Sequence, residues 1–365
     1  MSKLEQLIAE LCPDGVKNIG LGDICNIRTG KLNANAMVED GEYPFFTCDA
    51  LPYRIDSYAF DTDAILISGN GSQVGHLHRY KGKFNAYQRT YVLDNFSESI
   101  TKDFLYHFLG AYLKSYILVN CKKGSVPYIT LPMLQNFKIS VPPIEVQNEI
   151  VRILDNFTEL TTELTTELTS ELTARKKQYE YYRAVLFDRV QECQKAKLIN
   201  IADINRGVRV VKKDLIPEAE YPVYQNSLAP MGYYNNYNCD AETTYVISAG
   251  AAGEIGYCRS KFWAADDCLV FRNLNGILNR YIYHYLMTKS AYIMSNVRKA
   301  SIPRLSRTVI ENIEIPVPSL EEQERIVSIL DRFDALCNDI SNGLPAEIKA
   351  RQKQYEYYRD KLLTF

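Results

Sequence analysis

Short apolar runs followed by longer helical stretches occur twice along this chain. Six runs rich in aromatic and branched residues predict strands, three in each half: Tyr43–Thr47, Ala64–Ser68 and the weaker Tyr91–Leu93, then Tyr221–Gln225, Thr244–Ser248 and Cys268–Phe271. A Tyr- and Leu-rich stretch with a spacing of three to four follows each set and predicts a helix, Lys102–Val119 or Arg280–Val297. Strands that precede helices favour the α+β class over an alternating parallel sheet.

A long uninterrupted helix is predicted from Ile144 to about Val190. Its apolar positions recur every three to four residues, at Ile150, Ile153, Leu154, Phe157, Leu160, Leu164, Leu168, Leu172, Tyr179, Tyr182 and Leu186. The central part, Thr158–Thr173, repeats the unit TTEL. At ~1.5 Å per residue the helix is a rod of roughly 70 Å.

The block around this helix recurs at the end of the chain. Residues 141–157 (VPPIEVQNEIVRILDNF) and 317–333 (VPSLEEQERIVSILDRF) are identical at ten of seventeen positions with an offset of 176. At the same offset, 175–183 (RKKQYEYYR) and 351–359 (RQKQYEYYR) share eight of nine. The second copy contains Asn342-Gly343-Leu344-Pro345, which predicts a kink or break. The repeat divides the chain into globular domains at 1–143 and 191–318 and helical spacers at 144–190 and 319–365.

Charge along the spacers indicates how they pair. Acids dominate early in each spacer, at Glu145, Glu149, Asp155, Glu159, Glu163, Glu167 and Glu171, and at Glu321, Glu322 and Glu324. Bases dominate late, in 175–183 and at Lys349, Arg351, Lys353, Arg359 and Lys361. Antiparallel pairing therefore sets acid against base, and each gradient suits its own helix dipole. Two independent solvated helices are the alternative, but the shared apolar stripe needs a partner.

Composition narrows the class of protein. The 365 residues are 46% apolar and 24% charged, with a net charge of −2, which is typical of globular domains and leaves any DNA affinity to local patches. Nine cysteines without a CxxC pair predict reduced thiols, and the sequence shows neither a signal peptide nor a membrane span, so we expect a cytoplasmic protein. Four scattered histidines make a metal site improbable, even where His76 and His78 share a strand face.

No catalytic motif stands out. The segment 68–75 (SGNGSQVG) resembles a dinucleotide-binding loop, but Val74 stands where the third glycine is needed, so a tight turn between two strands is the better interpretation. Walker A, amino-methyltransferase and nuclease motifs are absent from the sequence, and no nucleophile–base set can be assembled. We therefore predict a non-catalytic chain with neither catalytic residues nor a metal.

Basic loops recur at matching places and suit contacts to DNA. Candidate phosphate-binding residues are Lys122, Lys123, Ser125 and Tyr128 in the first half, and Arg298, Lys299, Ser301, Arg307, Lys212 and Lys213 in the second. Candidate base readers on predicted loops are Arg28, Gln73, His76, Gln88, Arg89, Arg206, Arg209 and Arg304. Taken singly, such runs are more often solvated surface loops.

These duplicated blocks, the TTEL repeats and the Gly-Ser or Ala-Ser-x-Pro loops closely resemble the specificity subunit of type I restriction–modification systems, across essentially the whole chain. The resemblance implies two target recognition domains that each read half of a bipartite DNA site, and antiparallel spacers that dock two methyltransferase subunits and set the half-site spacing. It further implies restriction subunits, with S-adenosylmethionine, ATP and Mg2+ bound by partner subunits and none by this chain. Spacer and methyltransferase-interface candidates are Gln147, Ile150, Leu154, Tyr179, Tyr182, Gln323, Ile326, Leu330, Tyr355 and Tyr358.

Two other classes of function are compatible with the sequence. A coiled-coil scaffold without sequence-specific DNA binding requires the basic loops to be incidental. A stand-alone modifying enzyme requires an active site that no known motif marks.

Overall fold

The computed structural model describes residues 2–120, 127–339 and 342–365. The chain forms two compact units: unit 1 comprises Met1–Thr166 and Lys349–Phe365, and unit 2 comprises Glu167–Ile348. Each unit thus combines one globular domain with parts of the long helices.

Unit 1 is built on a mixed sheet. Its strands are β1 (Lys17–Gly20), β2 (Asn26–Thr29), β3 (Tyr43–Phe46), β4 (Tyr53–Ile55), β5 (Phe60–Ser68), β6 (Leu77–Ala86), β7 (Thr90–Asp94) and β8 (Lys138–Val141). The main sheet has the order β2-β7-β5-β6-β3-β4, in which only the β3–β6 pair is parallel, while β1 and β8 form a separate antiparallel pair. The predicted α+β class is confirmed.

The helices of unit 1 cover one face of this sheet. They are α1 (Lys3–Leu11), α2 (Leu21–Ile24), α3 (Lys102–Asn120), α4 (Leu131–Gln135) and the first part of α5 (Ile144–Arg189), with a 3-10 turn at Ala34–Ala36. Ile65 and Ile67 of β5 pack in one core cluster with α3 and α5, whereas Ala64 and Leu66 enter a second cluster on the opposite face. Burial on both faces explains why β5 is a continuous apolar run rather than an alternating one.

Unit 2 repeats this plan with shorter pieces. Its strands are β9 (Lys195–Lys197), β10 (Asp203–Arg206), β11 (Tyr221–Tyr224), β12 (Gly232–Tyr234), β13 (Thr243–Ile247), β14 (Ile255–Cys258), β15 (Trp263–Ala264), β16 (Cys268–Arg272) and β17 (Glu314–Pro316). They form sheets of order β10-β16-β13-β14, β12-β11-β15 and β17-β9. The helices are α6 (Leu198–Ile201), α7 (Asn279–Thr288), α8 (Ser290–Ser295), α9 (Arg307–Glu311) and α10 (Leu320–Asn338), with a 3-10 turn at Lys212–Asp214.

The single helix predicted over Arg280–Val297 is wrong. The structure divides it into α7 and α8 at Lys289, whose backbone leaves the helical region at φ −98° and ψ 6°. The N–H of Lys289 bonds to Leu286 O, three residues back, and the Thr288 hydroxyl donates to Tyr285 O at 2.6 Å. These local bonds end the helix, whereas its counterpart α3 runs unbroken for 19 residues.

The spacer helices follow the sequence pattern closely. Helix α5 spans 46 residues without interruption. The second spacer ends α10 at Asn338 and begins α11 (Leu344–Leu362) after the glycine, so the predicted break is confirmed. A Cβ added to Gly343 would lie 2.6 Å from the carbonyl oxygen of Ala335, so glycine alone fits this turn.

Within unit 1, α5 and α11 pack in opposite directions. Phe157 stacks on Tyr358 and Thr158 bonds to Tyr355, so the partner position falls as the α5 position rises. In unit 2 the same relation holds between α5 and α10. Tyr179 stacks on Phe333, and Lys176 lies near Cys337, where burial raises the pKa of the thiol and the charge of Lys176 opposes that rise. Inside each unit, therefore, the helices have the antiparallel direction expected from the charge gradients.

Candidate nucleic-acid interface

One edge of the main sheet in unit 1 collects most of that unit's predicted DNA-contacting side chains. Strands β2 and β5 end there and β6 and β7 begin there, because successive neighbours are antiparallel. Gln73 and His76 lie in the turn between β5 and β6, and Gln88 and Arg89 immediately precede β7. We call residues 69–76, 88–89 and 128–129 the unit 1 edge.

Backbone hydrogen bonds hold the unit 1 edge together. The N–H of Gly69 donates to Arg89 O at 2.8 Å, and the N–H of Ile129 donates to Gly69 O at 2.8 Å. Gly75 closes the turn by donating to Ser68 O, with φ +81° and Ile117 packed where a Cβ would lie. The predicted tight turn between two strands is confirmed, and it sits beside the segment that ends the first basic loop.

The side chains of the unit 1 edge mostly point outward. Gln73, Gln88, Arg89 and Tyr128 are exposed, and His76 is half-buried. The Nε2 of Gln88 donates to Asn33 at 2.8 Å, which orients the amide. Gln88 and Arg89 also line a cleft of about 230 Å³. Polar side chains held on a fixed turn are suited to reading base edges.

His76 lies against a second histidine, His78. Its ring lies edge-on to that of His78, with centroids 4.6 Å apart. Burial lowers the pKa of His78, which favours the uncharged form of that ring. Within the described residues no group of three or more His, Cys, Asp or Glu side chains is placed to hold a metal ion.

The structure revises the base-reading role predicted for Arg28. Its guanidinium donates to the buried carboxylate of Asp94 and lies 5.3 Å from the centre of the Phe60 ring. Asp94 has a side-chain exposure of 1%, so it depends on this counter-charge. Moving Arg28 to a base would leave a buried charge unpaired, and we therefore assign it a structural role.

Unit 2 presents an equivalent edge. The N–H of Ser248 donates to Asp267 O at 2.7 Å, and the N–H of Leu305 donates to Ser248 O at 2.8 Å. Arg298 and Arg304 exchange backbone hydrogen bonds of 2.8 and 3.1 Å, which closes the second basic loop against this turn. We call residues 206–209, 248–254, 266–267 and 298–305 the unit 2 edge.

The unit 2 edge is rich in cations. Arg206, Arg209, Arg298, Lys299 and Arg304 are exposed, and none of them forms an ion pair with another described residue. Lys212 and Lys213 are exposed on the nearby 3-10 turn, and Ser301 is exposed in the basic loop. Arg307 differs, because its Nε donates to the largely buried Glu311 at 2.8 Å.

Two acidic residues that the sequence reasoning missed also belong to the unit 2 edge. Arg89 O and Asp267 O accept equivalent hydrogen bonds from Gly69 and Ser248, so Asp266 and Asp267 occupy the places of Gln88 and Arg89. One carboxylate oxygen of Asp266 is buried without a partner among the described residues. Only the pairing of β16 with β13 reveals this equivalence, since the offset differs from 176 here.

Part of the first basic loop cannot be compared in this way. Lys122, Lys123 and Ser125 lie outside the described residues. Their assignment to phosphate contacts stays a prediction.

The structure corrects the interface role of several spacer residues. Gln147, Ile150 and Leu154 have zero exposure and pack into the core of unit 1. Four of the other candidates are likewise buried in unit 2: Tyr179, Gln323, Ile326 and Leu330. Six of these side chains have zero exposure and Tyr179 has 6%, which leaves almost no surface for a partner subunit. We therefore infer that these seven residues hold each helix to its own domain.

The remaining spacer candidates form an exposed aromatic patch in each unit. In unit 1, Tyr358 stacks on Phe157 with ring centres 5.8 Å apart, Tyr355 is half-buried beside them, and Tyr357 is 63% exposed. In unit 2, Tyr182 stacks on Phe333 at 5.3 Å and Tyr181 is 64% exposed. We call these six rings, Phe157, Tyr357 and Tyr358 with Phe333, Tyr181 and Tyr182, the aromatic patches. The repeated QYEYYR block was the signal for Tyr181 and Tyr357.

Comparison with known proteins shows which family has this architecture. The family model described as "Type I restriction modification DNA specificity domain" matches residues 13–174 and again 191–350. A type I restriction enzyme specificity subunit of Haemophilus influenzae is 32% identical over 375 residues, covering 94% of both chains. The chain belongs to the family of type I restriction–modification specificity subunits.

Solved structures agree at the level of the fold. The S subunit of a type I restriction–modification system from M. genitalium covers 96% of both chains with a TM-score of 0.59 and 18% identity. A chain from a structural study of complex assembly in the type I R-M system covers 96% of this chain and 98% of its own, with a TM-score of 0.68 and 16% identity. With this membership, a coiled-coil scaffold without sequence-specific DNA binding is not favoured. Among the described residues no helix is long and apolar enough to cross a membrane.

Proposed function

We propose that this chain supplies DNA sequence specificity to a type I restriction–modification complex, with each unit reading one half of a bipartite site. The globular parts, 1–143 and 191–318, act as recognition domains 1 and 2. The observation that supports this most directly is the pair of equivalent edges. They share backbone geometry but differ in the side chains that they present.

The differences have the form expected for two different half-sites. Unit 1 presents Gln88 and Arg89 where unit 2 presents Asp266 and Asp267. Arginine pairs with the two acceptors of guanine, glutamine with adenine, and aspartate accepts from the amino group of cytosine. The two edges share one backbone frame, but an arginine in unit 1 matches an aspartate in unit 2 and a neutral glutamine matches another aspartate. They would therefore select different bases. Gln73, His76, Arg206, Arg209 and Arg304 remain further base-reading candidates.

The cations beside each edge are proposed to bind phosphate. Arg298 and Lys299 lie on a loop whose backbone is closed by the Arg298–Arg304 pair, so the charges are held in place. Lys122, Lys123, Ser125 and Tyr128 are proposed for the matching place in unit 1, and Ser301, Lys212 and Lys213 add to the unit 2 set. Such contacts position the protein on the duplex without reading sequence.

The aromatic patches are proposed to dock two methyltransferase subunits. They repeat in both units, whereas the edges diverge, which is what one shared partner bound twice requires. Exposed tyrosines are enriched at the centres of protein interfaces, because a ring buries a large area at a low entropic cost. Restriction subunits complete the complex in this proposal, and S-adenosylmethionine, ATP and Mg2+ bind the partner subunits.

One experiment tests the proposal as a whole. The chain is purified alone and with methyltransferase subunits of the same system, and each preparation selects from a random duplex library before the bound fraction is sequenced. We expect one bipartite motif with a fixed gap from the complex, and methyl transfer only when the methyltransferase subunits are present. A continuous motif, or methyl transfer by the chain alone, would contradict the proposal.

A further inference from the structure

Each spacer begins with a buried glutamine that binds the recognition domain of its own unit. In unit 1 the Oε1 of Gln147 accepts from the N–H of Thr101 at 2.8 Å. The Nε2 donates to Ser99 O and to Pro142 O, both at 2.7 Å. One amide therefore joins the start of α5, the segment that precedes this helix, and the loop that leads into α3. Its side chain has zero exposure.

Unit 2 contains the same arrangement. The Oε1 of Gln323 accepts from the N–H of Leu278 at 2.9 Å, and its Nε2 donates to Gly276 O at 3.0 Å and Pro318 O at 2.9 Å. Leu278 is the N-cap of α7, the counterpart of α3. Only a carboxamide offers an acceptor and two donors in one plane, so neither glutamate nor methionine can replace these bonds.

A second contact ties the same pairs of helices farther along. The Nε2 of His107 on α3 donates to Asp155 on α5 at 2.8 Å, and the Nε2 of His284 on α7 donates to Asp331 on α10 at 2.8 Å. In both units the aspartate lies eight residues after the glutamine, which is about 12 Å along a helix. Each domain helix is therefore joined to its spacer by two separated polar contacts, one through the glutamine and one through the aspartate. We call these two contacts the pins.

We propose that Gln147 and Gln323 are positioning residues that fix the angle at which each recognition domain leaves its spacer. They would thereby set the gap of the bipartite site and leave the half-site sequences unchanged. A single contact permits rotation in every direction about itself, whereas two separated contacts leave only rotation about the line that joins them. The inference rests on the proposed reading of a bipartite site.

The expected effect is large enough to detect. Strand β5 has nine residues, so the sheet extends about 30 Å from one end to the other at ~3.3 Å per residue. Over that length a tilt of about 10° moves the far edge by about 5 Å, or one to two base pairs at ~3.4 Å per base pair. A loosened joint should therefore broaden the gap by whole base pairs.

The test uses the complex of this chain with its methyltransferase subunits. The complex selects from a random duplex library, and the bound fraction is sequenced to give the half-sites and the gap lengths. Gln147→Met keeps the side-chain volume and removes the three hydrogen bonds. Asp155→Ala removes the second pin, the bond to His107, and the carboxylate that it deletes is half-exposed. For both variants we expect unchanged half-site sequences and two or more gap lengths. Binding to duplexes with the wild-type gap should be roughly tenfold weaker, because the loosened protein spends only part of its time in the orientation that fits that gap. Gln323→Met provides the same test in unit 2.

Val92→Ala is the matched control, because it opens a cavity in the other core cluster of unit 1, away from both pins. It should lower the unfolding temperature while keeping one gap length. If both Gln147→Met and Asp155→Ala select only the wild-type gap length, the proposal is overturned. This holds even if either variant is less stable and binds DNA more weakly. If Gln147→Met does not fold, Asp155→Ala and Gln323→Met decide the outcome. A wild-type complex that selects no bipartite motif would instead count against the proposed function.

Discussion

Inserting one TTEL unit after Leu168 should lengthen the gap between the two half-sites. Four residues extend α5 by ~6 Å and advance it by about 400°, so the downstream faces keep nearly the same orientation. At ~3.4 Å per base pair, the half-sites should separate by one or two base pairs. The second spacer is not lengthened and will absorb part of the change, which favours one base pair.

The structure indicates that the repeat tolerates such an insertion. Thr165 and Thr166 donate to carbonyl oxygens four residues earlier at 2.8 and 2.7 Å, so these hydroxyls find acceptors within the helix itself. Leu164, Leu168 and Leu172 are half-buried rather than core residues. A further repeat unit therefore disturbs neither a buried polar group nor a packed core, and its cost in stability should be within about 1 kcal/mol.

The assay is the methylated motif, determined genome-wide in cells that carry each variant with its methyltransferase subunits. Inserting one alanine at the same place rotates the downstream helix by about 100° and should abolish methylation. Replacing one TTEL unit by AAEL changes composition without length and should leave the gap unchanged. An unchanged gap in the TTEL insertion variant would refute the reasoning and reduce the repeats to filler.

Three further predictions concern the unit 2 edge, the aromatic patches and Glu149 near the start of α5. Replacing Arg298 and Lys299 by Ala should weaken binding to all sequences alike and reduce the slope of log K against log salt by about 2, as measured by titration; Arg307→Ala, already paired with Glu311, is the control, and an unchanged slope in the double variant contradicts the phosphate role. Tyr181→Ala with Tyr357→Ala should weaken methyltransferase binding about tenfold or more in calorimetry, whereas Tyr→Phe at both should retain it; equal affinity of the Ala variant would exclude the patches. Hydrogen bonds from Arg152 and then from Lys3 lower the pKa of the Glu149 carboxyl to about 2. The stabilising effect of this carboxylate is therefore complete above its ordinary pKa near 4.5 and is lost as pH falls towards 2. The difference in unfolding temperature between wild type and Glu149→Gln should therefore shrink from pH 6 to pH 3, and a constant difference would contradict the assignment.

Much of the fold could be predicted from the sequence because the strongest signals were periodic. The unbroken α5, the break at Gly343 and most of the buried strands follow from apolar spacing and helix breakers. Strand β6 was missed, since its residues LHRYKGKFNA alternate with exposed charges and contain no apolar run. The split of α7 from α8 was missed for a different reason: it depends on a local hydroxyl bond that periodicity does not report.

The candidate site was less predictable, because its chemistry depends on burial and pairing. Arg28 has the composition of a base reader, but its role is set by Asp94, sixty-six residues away in sequence. Gln147 and Gln323 are repeated in both spacers, which suggested a shared partner, and only their zero exposure shows that the partner is their own domain. Sequence repetition identified the right residues and could not distinguish an internal joint from an external surface.

The contacts that join each recognition domain to its spacer are stronger in unit 2 than in unit 1. In unit 2, Arg280 adds ion pairs of 2.6 Å to Asp331 and 2.5 Å to Asp334. Its guanidinium also lies 4.3 and 4.5 Å from the centres of the Tyr257 and Tyr283 rings. At the matching place in unit 1, Asp103 pairs with Arg79 of its own domain instead. Losing one amide should therefore loosen unit 1 more than unit 2. We expect Gln147→Met to yield a broader distribution of gap lengths than Gln323→Met in the same selection. Adding Arg280→Met to Gln323→Met should remove the difference, and equal distributions for the two single variants would show that Arg280 does not contribute to the joint.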